Sequence, residues 1–351
     1  MFDTKEMLAK AIQSGASDVH INVQMPPIMR INTELIVMDL PEITDENAHQ
    51  MVLELVGQDK FNAFLQKRDF DFSTMIDDGS RFRVNAHYQR DSIAISFRVI
   101  SSKIPEIEDL HLPDIVKELT DLPRGLVIVT GHTGSGKSTT LASMIGVMNR
   151  KYRKRIITLE DPVEYLLINK SCMIEQREIG SDCPTFASGL RHALRQDPDV
   201  ILVGEMRDLE TTSSTITAAE TGHLVLATMH SPNVSHALER IIGVFEGSAQ
   251  RQIILQLSNA LQGIISQELL PAADRTRRVL AYEMLVANGA VRNLIRENQF
   301  HQLENILQTG RKEGMVLMDN CLYDLYCKCL ISYDTAVSRA RHPERIIQPK
   351  G

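Results

Sequence analysis

The stretch GLVIVTGHTGSGKSTTLASMIGVMNR, residues 125–150, sets Gly131, Gly134 and Gly136 around Thr133 and Ser135 and runs on into Lys137, Ser138 and Thr139. Residues 131–138 fit G-x-x-x-x-G-K-[ST], the spacing with which backbone N–H groups curl around phosphate oxygens. The glycines permit the curl. Lys137 reaches toward β- and γ-phosphates, and Ser138 offers a hydroxyl to Mg²⁺. An apolar run precedes the loop and helix-forming residues follow it, so a helix N-terminus adds its dipole to the same anion.

Carboxylates that could work beside such a loop follow two other apolar runs. DVILVGE, residues 199–205, ends on Glu205, placed to hold Mg²⁺ through water or to orient an attacking water. ITLEDPVEY, residues 157–165, carries Glu160, Asp161 and Glu164 around a turn at Pro162. Three carboxylates beside a triphosphate repel it unless a cation is present or one serves as general base. Solvated acidic residues of a loop fit the same pattern. His223 and His230 flank the apolar run of TGHLVLATMH; each fits a γ-phosphate contact or an ordinary polar residue at a strand end.

These residues need a scaffold. Short β-rich runs at 126–130, 156–159, 200–203 and 224–227 alternate with helical segments, the rhythm of βα units around a buried parallel sheet. The first hundred residues differ. Ala48, Met51, Val52 and Leu55 line one helix face behind a Thr44 cap, while 69–73, 81–88 and 93–99 alternate as half-buried antiparallel strands do. Residues 1–100 therefore form a small α+β domain. Residues 101–123, with three prolines and one short amphipathic stretch, form a linker; 124–288 form the core that carries the phosphate loop; and 289–351 form a helical region.

Composition agrees with two domains in 351 residues, at 43% hydrophobic and 24% charged. Residues 1–120 carry 12 basic and 20 acidic side chains, and 121–351 carry 26 and 25. A net charge of −7 gives no global attraction to nucleic acid, and the one basic cluster, 150–155, has only Tyr152 as a stacking platform. No apolar run approaches the ~20 residues of a membrane span. The opening residues lack a signal peptide's apolar core, and the five cysteines follow neither a disulfide nor a zinc spacing, which points to a cytoplasmic chain.

GHTGSGKST, ITLEDPVEY, DPDVILVGEMRDLET and AAETGHLVLATMHS stand in the order found in type II/type IV secretion ATPases, and the chain resembles that superfamily from residue 14 to residue 343. QSGASDVH, RFRVNA, QREIG and VRNLIRE resemble its PilT-type pilus retraction branch. The resemblance implies a homo-hexameric ATPase with a PAS-like N-terminal domain, a RecA-like P-loop domain, a helical C-terminal region, and ATP and Mg²⁺ bound between domains. It implies phosphate binding by 133–138, a catalytic role for Glu164, a Walker B role for Glu205 and a γ-phosphate or interface role for His230. It further implies that Arg81, Arg83 and Arg98 supply positive charge to the nucleotide; the solvent face of two strands fits them as well. VRNLIRE is implied to be needed for retraction, although a packed helix with a solvated face explains its pattern. An inner-membrane platform protein and a PilU-type paralogue are the implied partners, at the inner face of the cytoplasmic membrane.

The chain departs from the pattern at His132, where the family's loop usually has Pro, and FRVNAHYQR and PAADRTRR resemble the PilU-type paralogue. Assembly ATPases of the superfamily carry a further N-terminal domain and commonly a four-Cys zinc module. Neither is expected here, which points to retraction rather than pilus assembly or type II secretion.

Overall fold

The computed structural model describes residues 3–31, 34–100, 104–275 and 277–347. It divides into two compact units, Met1–Lys103 and Ile104–Gly351.

The N-terminal unit contains helices α1 (Thr4–Gln13), α2 (Asp45–Val56) and α3 (Gln58–Lys67) and strands β1 (Asp18–Asn22), β2 (Ile28–Ile31), β3 (Glu34–Val37), β4 (Asp69–Met75), β5 (Arg81–Gln89) and β6 (Ser92–Ile100). The strands form one antiparallel sheet in the order β3-β2-β1-β6-β5-β4. Thr44 caps α2 through a reciprocal capping box with Asn47, so the helix starts where the sequence places it. Ala48, Met51 and Val52 then pack with Phe64 of α3 against Phe82, Val84 and Phe97 of the sheet.

The second unit is built on a seven-stranded sheet in the order β13-β12-β7-β11-β10-β8-β9. Its strands are β7 (Gly125–Thr130), β8 (Arg155–Glu160), β9 (Met173–Glu178), β10 (Val200–Val203), β11 (Leu224–Met229), β12 (Leu261–Pro271) and β13 (Arg278–Val286). All neighbours run parallel except the β12–β13 hairpin. Both faces are covered, which is why these strands read as continuous apolar runs. Leu126 and Ile128 enter one core, while Val127 and Val129 enter the other. The first core is closed by α6 (Phe186–Ala193), α7 (Leu209–Glu220), α8 (Val234–Gly243), α9 (Gly247–Ala260), α10 (Gly289–Arg296) and α11 (Leu303–Thr309). The second takes α4 (Ile115–Thr120) and α5 (Lys137–Lys151). Helices α12 (Met318–Cys327) and α13 (Tyr333–Arg339) pack on the β12–β13 hairpin.

The expected linker is a different object. Residues 101–103 lie outside the described residues, and from 104 onward the chain is packed: Ile107, Val116 and Leu119 are buried in the core beneath α5. The prolines break the helical pattern without freeing the backbone, because the apolar residues between them find a covered sheet face.

Candidate active site

Parallel topology brings the carboxyl ends of β7, β11, β10 and β8 to one edge, the usual place for a ligand site in an open α/β sheet. Gly131 follows β7, His230 follows β11, Glu205 lies two residues past β10, and Glu160 ends β8. His223 immediately precedes β11 and lies about 20 Å from this edge at strand spacing, bonded through Nδ1 to the Ala218 carbonyl. It takes no part in the site.

The loop after β7 is built as its glycines require. Gly131 has φ 145°, and a Cβ there would stand 2.3 Å from the Gln267 carbonyl oxygen and 2.5 Å from Ser135 Oγ. Gly134 and Gly136 also take left-handed conformations, φ 77° and 91°. Gly136 starts α5 with no side-chain cap, leaving the first-turn N–H groups to an anion. Ser135 Oγ is buried without a partner among the described residues. Lys137 Nζ donates to the carbonyls of Gly131 (3.0 Å) and His132 (2.9 Å). Burial pushes its pKa down, against the opposing pull of Glu205 and then Glu164. Both candidate carboxylates therefore act on the phosphate-loop ammonium. Ser138 is half-buried in the first turn of α5, and Thr139 Oγ1 meets the Tyr165 hydroxyl at 2.8 Å.

Glu205 has both oxygens engaged, Oε2 with Arg207 Nε at 2.7 Å and Oε1 with His230 Nε2 at 3.3 Å. Gly204 lets β10 end this close to β8, since a Cβ would stand 2.8 Å from the Leu159 carbonyl oxygen. Glu160 accepts from Thr158 Oγ1 (2.6 Å) and Gln176 Nε2 (3.0 Å), and burial raises its pKa. The loop beyond it is pinned by Gln176, which donates to the Tyr165 carbonyl and accepts from Leu167 N, and by Glu178, which accepts from Val163 N. Asp161 and Glu164 stay exposed on this pinned loop, with Asp161 acting electrostatically on Arg207. A cavity of about 170 Å³ adjoins the start of α5, walled by Gly136, Thr139, Leu269 and Leu280 and edged by His111 and Arg278.

Arg81, Arg83 and Arg98 belong to the N-terminal unit. Arg83 and Arg98 are cross-strand partners with exposed side chains, and Arg98 Nε donates to Asp18 Oδ1 at 2.8 Å. In α10, Val291, Leu294 and Ile295 are buried, as the spacing predicts. Arg292, expected on the solvated face, is instead a clasp: its Nη1 donates to the carbonyls of Ser258 (2.6 Å) and Asn259 (2.8 Å) at the end of α9. Those carbonyls lack helical partners, and the guanidinium satisfies them. Gln176, Arg207 and Gln267 join the site without any spacing to mark them. Their signal was polarity beside or within apolar strands, visible only once a strand end has a purpose.

Residues 2–324 match the family described as type II/IV secretion system protein. The chain is 40% identical over 342 residues to the type IV pilus retraction ATPase PilT of Pseudomonas aeruginosa, covering 97% of this chain and 99% of that one. It is 37% identical to the type IV pilus ATPase PilU of the same organism, covering 96% and 88%. A crystal structure of the pilus retraction motor PilT with bound ADP superposes with a TM-score of 0.92 at 42% identity, covering 98% of each chain. With these likenesses over a RecA-like P-loop unit and its N-terminal α+β unit, the chain belongs to the PilT-type ATPases of the type II/IV secretion family.

Proposed function

We propose that this chain is a hexameric, ATP-hydrolysing motor that powers type IV pilus retraction and twitching motility. The observation that carries the reading is the curled glycine loop at the uncapped start of α5, whose Lys137 is acted on electrostatically by Glu205 and Glu164. Lys137 exchanges its two carbonyl partners for phosphate oxygens, and the orphaned Ser135 hydroxyl gains an acceptor. Thr133, Gly134 and Thr139 complete the cradle. Glu164, exposed on a pinned loop, accepts the proton of the attacking water. His230 shares Glu205 and reports whether a γ-phosphate is present. Asp161 and Glu160 shape the rim.

The Ser138 hydroxyl and the Glu205 carboxylate are hard oxygen donors at the cradle's edge, a set that fits Mg²⁺, the latter through water. When bound, that ion neutralises charge on the β- and γ-phosphates.

No helix among the described residues is long and apolar enough to cross a membrane. The likeness to a pilus retraction ATPase supports a motor that works from the cytoplasmic face against a membrane-embedded platform protein, alongside a PilU-type paralogue. The full-length likeness to PilU favours a second reading, an accessory retraction subunit with little turnover of its own.

Phosphate release by the pure protein tests both. Turnover in the wild type, reduced at least about 100-fold in Lys137→Ala and in Glu164→Gln, is the expected result. A Lys137→Ala protein that keeps wild-type turnover removes the site assignment, and an inactive wild type revived only beside a cognate motor selects the accessory reading. Hyperpiliated, non-twitching cells in a deletion strain mark retraction rather than assembly.

A further inference from the structure

Three polar side chains sit where an apolar sheet offers no reason for them. Thr130 ends β7, Ser266 lies in β12 and Glu283 lies in β13, each at most 8% exposed. They are in register: Ser266 pairs with Thr130 on one side and with Glu283 on the other. All three face the side of the sheet that also receives Ile128, Ile264 and Leu285.

Across that row runs the loop from Met229 to Val234, which carries His230. Thr130 Oγ1 lies 3.2 Å from the Met229 carbonyl oxygen and 3.0 Å from that of Ser231. Ser266 Oγ donates to the Pro232 carbonyl at 3.1 Å, and Glu283 Oε1 accepts from Val234 N at 3.0 Å. On its outer side the His230 carbonyl accepts from Arg240 Nη1 at 2.6 Å. Val234 is the first residue of α8, whose Asn233 cap serves His236 N and leaves Val234 N to the carboxylate. Next to Glu283, Met284 exchanges backbone hydrogen bonds with Val316 (2.8 and 3.0 Å), just ahead of α12, a helix with no side-chain cap, and the Met318 N–H at the start of α12 acts to lower the Glu283 pKa. Burial raises the Glu283 pKa, a cost that the donor at the start of α8 and the dipoles of the two helix starts offset in part.

We propose that Thr130, Ser266 and Glu283 form a register row that fixes the His230 loop relative to the phosphate loop, with Glu283 a positioning residue that acts through His230 and joins that loop to the C-terminal helices. This rests on the functional reading above. Thr130 is followed directly by Gly131, so any shift of the phosphate loop moves the first post of the row. Glu283, the last post, carries the shift to α12.

The test is a double-mutant cycle on ATP turnover with Glu283→Gln and His230→Ala in the full chain, run after wild type is shown active and Lys137→Ala inactive. That order separates failure of the functional reading from failure of this one. Glu283→Gln lowers kcat about tenfold with KM for ATP changed less than twofold, and in the His230→Ala background it lowers kcat no further. Equal losses in both backgrounds, or unchanged kcat in Glu283→Gln, overturn the proposal. Should Glu283→Gln fail to fold, Ser266→Ala enters the same cycle with the same criteria.

Discussion

Gly131 shows how one missing carbon makes a phosphate loop. Its φ of 145° and the Gln267 carbonyl oxygen 2.3 Å from a would-be Cβ leave no room for alanine. Gly131→Ala is expected to abolish the ATP-induced rise in melting temperature while the chain still folds. Lys137 is the opposite case, a group whose burial carries a cost. Burial lowers its pKa below the ordinary 10.5, so the fold favours its neutral form. The sign follows: below the folded pKa the full penalty applies, and stability recovers as pH rises from that pKa toward 10.5. Lys137→Met therefore raises the melting temperature of the nucleotide-free protein at pH 8, and its advantage shrinks toward pH 10.5. Thermal scans across that range check the sign.

Helix α10 separates packing from whatever its sequence resemblance implies. Its apolar positions were legible because 3.6-residue periodicity survives into any packed helix. The partner of Arg292 was not, since the carbonyls it caps lie more than thirty residues earlier, at the end of α9. Arg292→Ala is expected to cost about 1–3 kcal/mol of stability, the range for charged hydrogen bonds left with a bare carbonyl. Arg296→Ala, on the exposed face, is expected to leave stability within about 0.5 kcal/mol. Chemical denaturation of the two variants distinguishes the faces. A twitching defect in Arg296→Ala without loss of stability assigns the exposed face to function.

The whole molecule carries separate cores. Phe82, fully buried, belongs to a core made only of N-terminal residues, while the sheet beneath the phosphate loop has cores of its own. Two calorimetric transitions are expected. Phe82→Ala lowers one, by about 3–5 kcal/mol in that unit, and leaves the other in place. A single transition displaced as a whole overturns the independence of the two units. The stretch 104–123 belongs with the second transition, because its apolar residues are buried beneath α5 rather than strung between domains.

Much was written in local sequence, for a physical reason: conformational needs of single residues and strand or helix periodicity are set by neighbours along the chain. Gly131, Gly134 and Gly136 announce a curled backbone, Thr44 announces a helix start, and four apolar runs announce a sheet buried on both faces. Strand order and register are set by contacts between distant segments. They brought Glu205 to His230, seated Gln176 beneath the Glu164 loop, and aligned Thr130, Ser266 and Glu283 across three strands. No spacing along the chain encodes that row, because its members are 136 and 17 residues apart and meet only through pairing in the folded sheet.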